Sequence, residues 1–262
     1  NNGDVLGHPQ SLFICSANTL RAIAMAEPLQ GGVALIHTAF STVTAFDPAT
    51  SRQHFSIGMS DDFQIAIGPQ IARRLAEEAP RVSVTFRQAN THRVEALFEA
   101  GEIDFAVVAQ PNVRSGLQQQ EIGRSGYACL LDQVACDLTL PLTLTDYLSL
   151  PHLLVSFSGR EGIVDQALKD LGHSRRVQSA LTHFSALPPF LIGTRAVATL
   201  PIHAAQSLAA VSGLTVCAAP IDLGDYSVSI LWPRTAANLW MRQVISDAFL
   251  AILLDLEATY SG

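Results

Sequence analysis

Three short polar clusters in this sequence carry residue types suited to chemistry. Ser60-Asp61-Asp62-Phe63 follows an apolar stretch and precedes a helical one. Ser158-Gly159-Arg160-Glu161 stands in the equivalent place further along, and His183-Phe184 follows a third apolar stretch. A serine at a strand-to-helix turn is a nucleophile when glycines bracket it as G-x-S-x-G, and no such bracket surrounds Ser158. Two readings of the Ser158 turn remain open. Its backbone N–H groups and the helix dipole suit an anionic or carbonyl ligand, and serine is also a preferred N-cap. His183 is open in the same way, as a hydrogen-bonded structural histidine or as a ligand contact. There is no P-loop and no H-E-x-x-H. Cys15, Cys129, Cys136 and Cys217 form no C-x-x-C and have no zinc-ligand spacing. With no complete nucleophile–base or metal set, neither an enzyme, a cofactor nor a metal is expected.

The elements that must position these clusters repeat one pattern. The first copy reads as strand 55–60, helix from about 66 to 78, strand 82–87, helix 92–100 and strand 103–108. The second reads as strand 152–156, helix 161–171, strand 175–181, helix 186–193 and strand 196–200, followed by a helix over 202–211. Gly68-Pro69 places the start of the first regular helix there, after a separate turn. Apolar strands alternating with helices imply an α/β fold with parallel sheets covered on both faces. The strand-like segments 118–135 and 226–232 bracket the second copy, so two crossings form a hinge. The final helix, from 236 to about 257, is expected to pack back on the first lobe. Ligands of open α/β sheets gather at the carboxyl ends of the strands. Those loops are 60–63, 109–112, 157–161 and 182–185. They contribute Ser60, Asp61, Asp62, Phe63, Ala109, Gln110, Ser158, Gly159, Arg160, Glu161, His183 and Phe184 as ligand contacts, and Thr199 on the strand 196–200 is counted with them.

Composition bounds the rest. A chain of 262 residues with 48% hydrophobic and 15% charged residues folds around a sizeable core, with two lobes as the natural expectation. No apolar run is long and charge-free enough to span a bilayer, and the first ten residues are not a secretion signal. The thiols then read as buried in a reducing compartment. The net charge is −7, opposite in sign to a chain whose main task is gripping phosphates. Residues 1–54 are themselves slightly acidic. The pairs Arg73-Arg74 and Arg175-Arg176 are expected on the solvated surface, with Glu77 and Glu78 at helical salt-bridge spacing from the first. Trp232 and Trp240 are expected to be packing residues.

The stretch from Phe46 to Val108 also resembles a family. FDP-x-TS-R-x-F-x-I-x-x-SD, an ARRLAEEAP helix and an L-x-x-GEIDFAV strand are similar to the start of the effector-binding domain of LysR-type transcriptional regulators, in the branch with nodulation and nitroaromatic regulators. The resemblance implies two β-α-β-α-β lobes like those of type 2 periplasmic binding proteins, preceded by a linker helix that pairs between subunits. Residues 1–26 would be the remnant of a winged helix-turn-helix wing and its junction, with the rest of that domain before residue 1. Residues 27–53 would hold the linker helix. Regulatory subdomain 1 would comprise 54–131 and 227–262, and subdomain 2 would comprise 132–226. The implied partners are a small-molecule effector, promoter DNA through the N-terminal domain, RNA polymerase, and further copies as a homodimer or homotetramer in the cytoplasm, with no membrane. In that branch a His-Phe pair at the place of His183-Phe184 contacts aromatic effectors. Pro188-Pro189 departs from the family's helix here, and Glu161 stands where some relatives carry a histidine. The alternative is a solute-binding protein of a transporter, which shares the two-lobed architecture. The lack of a signal and the unpaired cysteines weigh against it.

Overall fold

The computed structural model describes residues 46–111, 116–156, 161–234 and 238–260, with side chains of the last helix as far as Leu254. The expected wing remnant and most of the linker segment, and with them Cys15, Ser158, Gly159 and Arg160, lie outside the described residues.

Each sheet is built from short strands whose apolar residues are buried. In β1 (His54–Met59), Phe55, Ile57 and Met59 are buried on one side. Gly58 lies between them on the other side, where a Cβ would stand 2.9 Å from Ile103. That close approach needs glycine. Around β1 the described residues form a five-stranded sheet in the order β2 (Ser83–Gln88), β1, β3 (Phe105–Ala109), β10 (Tyr226–Pro233), β4 (Leu117–Ser125). The first three are parallel, and β10 runs antiparallel to both neighbours. The second sheet has the same plan in the order β7 (Val177–Leu181), β6 (His152–Val155), β8 (Val197–Pro201), β5 (Tyr127–Leu131), β9 (Thr215–Ala218). Its antiparallel strand is β5. In each sheet, therefore, the antiparallel fourth strand is one that adjoins a crossover, at 125–127 or at 219–225. The chain changes sheet between Ser125 and Tyr127, earlier than the subdomain limit expected at 131, because β5 pairs with β8 and β9.

The helices cover these sheets. Among the described residues they are α1 (Asp61–Glu78), α2 (Val94–Glu99), α3 (Gln133–Cys136), α4 (Leu144–Ser149), α5 (Ile163–Asp170), α6 (Leu187–Leu191), α7 (Ile202–Ser212) and α8 (Leu239–Tyr260). The first helix corrects the sequence reading: it starts at Asp61 and runs through Pro69. Proline removes one hydrogen bond from a helix interior. The loss is tolerated here because Asp61 and Asp62 favour the helix N-terminus, while Phe63, Ile67, Ile71 and Leu75 bury one face. Pro188 and Pro189 sit at the start of a short helix, where a missing N–H costs little. A 3-10 turn over Phe184–Ala186 precedes α6, which is five residues long and has proline in its first turn.

The second sheet carries a core layer on each face. On one face Leu130, Leu153, Ala198 and Leu200 meet Leu187 and Leu191 of α6 and Ala204, Ala205 and Leu208 of α7. On the other, Cys129, Leu131 and Val197 meet Tyr147, Val164 and Leu168. A fully buried leucine contributes roughly 2 kcal/mol. Cys129, Cys136 and Cys217 are buried thiols, as the sequence suggested, and Cys129 faces Cys217 across the β5–β9 pairing. The last helix, α8, packs on α1 and β4 through Met241, Val244, Ile245 and Phe249, as expected, and also touches α7. Among the described residues no helix is long and apolar enough to cross a membrane.

Candidate functional site

The strand ends of the two sheets meet. Residue 60 follows β1 and opens α1; Pro201 ends β8 and leads into α7. The first turns of these helices touch across the lobes, where His203 Nε2 lies 3.1 Å from an Asp62 carboxylate oxygen. A second crossing joins α1 to the turn after β7. Asp61 accepts from the Ser185 N–H at 3.0 Å and from its hydroxyl at 3.3 Å. Thus the start of α1 at 60–63 and the turn at 182–185 face each other.

The candidate residues divide by exposure. His183, Gln110 and Glu161 are exposed, whereas Ser60, Asp61, Ala109, Phe184 and Thr199 are half-buried. Gln110 holds a positive φ of 44°, and its N–H donates to the Ser227 carbonyl at 2.9 Å, tying the end of β3 to β10. The Thr182 hydroxyl lies 2.8 Å from His183 Nδ1. Phe184 packs on the second lobe's core.

Asp62 and Phe63 lie deeper. Phe63 is 1% exposed; its ring stacks on the His203 imidazole, with centroids 4.7 Å apart, and meets Phe249 edge-on. Asp62 bonds to the Ser60 hydroxyl as well as to His203. Burial alone would raise its carboxyl. The hydrogen bond and charge of His203, with help from Ser60 and the backbone at Phe63, hold it below the usual carboxylate range. Thr199 turns toward the α4 side, with its hydroxyl 2.7 Å from the Tyr147 hydroxyl and 3.6 Å from the Cys129 thiol. Burial pushes the Tyr147 phenol up to about 12, so it is a neutral partner at physiological pH.

Sequence reasoning missed His203, a single histidine in an apolar helix with no motif around it. It also misplaced Arg175. The sequence reading put that arginine on the solvated surface, yet its side chain is 2% exposed. Its guanidinium makes two bonds of 2.8 Å to Asp165, whose carboxylate also accepts from the Gly162 N–H at 2.7 Å. The pair fixes the start of α5 at Gly162 and Ile163, next to Glu161. Arg74 is half-exposed and ties α1 to α8 by pairing with Glu78 at 2.9 Å and Asp247 at 2.6 Å. Trp232 is buried beneath Arg242, and the Trp240 indole N–H donates to Glu78.

The Ser125 hydroxyl lies 2.8 Å from His203 Nδ1. Ser125, His203 and Asp62 therefore have the connectivity of a hydrolytic triad. Their exposures of 4%, 0% and 6% leave the hydroxyl no route to a substrate, so this arrangement is structural. Among the described residues no group of three or more metal-ligating side chains comes together. A depression of about 500 Å³ lined by Pro151, Arg176, Gln178, Phe190 and Arg195 lies beside the N-terminal ends of β6, β7 and β8, away from the strand ends that face the other lobe.

The model of the LysR substrate binding domain matches residues 48–249. The chain belongs to the LysR family. It is similar to the HTH-type transcriptional activator NagR of Ralstonia, with 28% identity covering 87% of this chain and 77% of that protein. To NahR of Pseudomonas putida it is 30% identical, covering 87% and 78%. Nodulation D proteins also match. Among solved structures, the regulatory domain of MexT from Pseudomonas aeruginosa superposes with a TM-score of 0.66 at 34% identity, covering 76% of this chain and all of that one. The two sheets are thus the two lobes of a LysR regulatory domain, with the periplasmic-binding-protein-like plan. Its function is that of a LysR effector-binding domain, and these relatives are regulators of transcription, not enzymes or transport proteins.

Proposed function

We propose that this domain senses a small aromatic or carboxylated molecule held between its lobes, and that the lobe angle so selected changes oligomer geometry at a promoter. The Asp61–Ser185 bond supports the reading most directly, because it marks where the strand-end loops of both lobes come within reach of one small ligand. Ser60, Asp61, Ala109, Gln110, Glu161, His183 and Phe184 are the proposed contacts, together with Ser158, Gly159 and Arg160. Asp62 and Phe63 support them from behind, and Thr199 shapes the second-lobe wall through Tyr147. We assign Leu117–Ser125 and Tyr226–Pro233 to subdomain 1 and Tyr127–Ala218 to subdomain 2 on their sheet membership. Promoter DNA, RNA polymerase and a second copy of the chain are the proposed partners of the whole regulator, in the cytoplasm.

The test is a thermal-shift screen of small organic acids, including benzoate, followed by calorimetry on the best binder. His183→Ala and Phe184→Ala are each expected to weaken it by about 1–3 kcal/mol, or about tenfold or more in affinity. Both should fold normally, because His183 is exposed and Phe184 only half-buried. Wild-type affinity in both variants would move the site elsewhere.

Self-association is testable separately. Symmetric dimers are the usual outcome for such chains. Sedimentation of residues 1–262 is expected to show dimer or tetramer, and monomer alone at high concentration would count against it.

A further inference from the structure

We propose that His203 is a positioning residue for the effector site, holding the first turn of α1 at a set angle and tying that turn to the start of the first hinge crossing. The inference rests on the reading of the cleft given above and names what sets its resting geometry.

The supporting observation is one continuous hydrogen-bonded chain. It runs from Ser60 to Asp62, from Asp62 to His203 Nε2, and from His203 Nδ1 to the Ser125 hydroxyl. These residues belong to three segments. Ser60 and Asp62 open α1 in the first lobe, and His203 opens α7 in the second. Ser125 ends β4, where the first crossing begins. The Phe63 ring lies within 9° of parallel to the imidazole, so stacking fixes the ring plane that aims one nitrogen at the start of α1 and the other at the end of β4, both in the first lobe. A change in lobe angle therefore breaks or rebuilds a bond in this chain.

Stability alone is a weak reason to keep such a chain. Replacing a buried ionic pair by apolar side chains of similar volume is often neutral or stabilising, and its best-attested use is to set registry or a switch. Here the pair joins two bodies that are linked covalently by two crossings and also touch at Asp61 and Ser185.

The experiment is amide hydrogen exchange on residues 1–262 without any effector. The paired variant Asp62→Leu with His203→Phe removes both polar groups and leaves no buried charge unpaired. It is expected to keep a cooperative thermal transition near the wild-type temperature, while exchange at 61–65 and 125–127 becomes roughly tenfold faster through local opening. His203→Gln retains one donor and one acceptor and is expected to restore slow exchange. Ser125→Ala removes the single hydroxyl that lies 2.8 Å from His203 Nδ1, so it tests the chain even if the paired variant does not fold. It is expected to speed exchange at 61–65. Wild-type exchange at 61–65 in Ser125→Ala, or at both segments in a folded paired variant, would overturn the proposal. Effector affinity plays no part in these measurements. A failed ligand screen would count against the cleft reading, and unchanged exchange would count against His203.

Discussion

Arg175→Met is expected to lower the stability of the domain by about 3 kcal/mol, the low end for removing one partner of a buried ion pair. Methionine fills much of the same volume, so the loss comes from charge and hydrogen bonding rather than from a cavity. It leaves Asp165, 19% exposed, without the two bonds that satisfy most of its carboxylate, while the bond from the Gly162 N–H at 2.7 Å remains. The carboxyl sits below its usual range chiefly because of the Arg175 hydrogen bonds, against the opposing effect of burial. A loss of this size in a domain of about 200 residues lowers Tm by roughly 6–10 °C. Urea denaturation at pH 7 is the direct measurement. A loss under about 1 kcal/mol would mean the pair behaves like an exposed surface bridge. The same substitution should loosen the start of α5, and with it the loop proposed to face the effector.

Acid is expected to destabilise the protein well above the carboxylate range, through His152. This histidine is 0% exposed. Its Nε2 lies 2.9 Å from the Tyr147 carbonyl, which fixes the proton on that nitrogen, while Nδ1 has no partner among the described residues. Burial, with the positive charge of Arg175 second, pulls its pKa from 6.5 down to about 4. The sign follows from which state binds more protons. Between these two values the unfolded chain carries a proton on His152 and the folded chain does not. The contribution is therefore complete above pH 6.5, declines as pH falls, and is lost by about pH 4. At about 1.4 kcal/mol per unit, the fall reaches roughly 3 kcal/mol. Unfolding free energies at pH 7, 6 and 5 would show it, and His152→Gln should flatten the slope over that interval. Equal slopes in wild type and variant would assign the acid sensitivity to other groups.

How far the sequence carried these conclusions depends on the range of the interaction. Periodicity is local, so the strands and helices of both copies were legible to within a few residues. Pro69 misled for the same reason: as a local signal it favours a helix start, while the buried face from Phe63 to Leu75 draws its stabilisation from α7, α8 and β2. Arg175 beside Arg176 looks like solvated charge until the fold brings Asp165 against it. β5 looks continuous with β4 until its partners are known.

The sequence by itself determined the family, through the FDP-x-TS-R and GEIDFAV stretches, and the alternation of strand and helix that places polar loops at strand ends. It also pointed to buried thiols, since free cysteine behaves as a small apolar side chain, and Cys129, Cys136 and Cys217 are buried among the described residues. Only the tertiary structure decided that Asp62 and Phe63 would turn inward, that Asp61 would reach Ser185 124 positions away, and that His203 would lie between the lobes. Those pairings depend on which strand ends the two crossings bring together, and no local pattern encodes a contact whose partners are separated by an entire lobe.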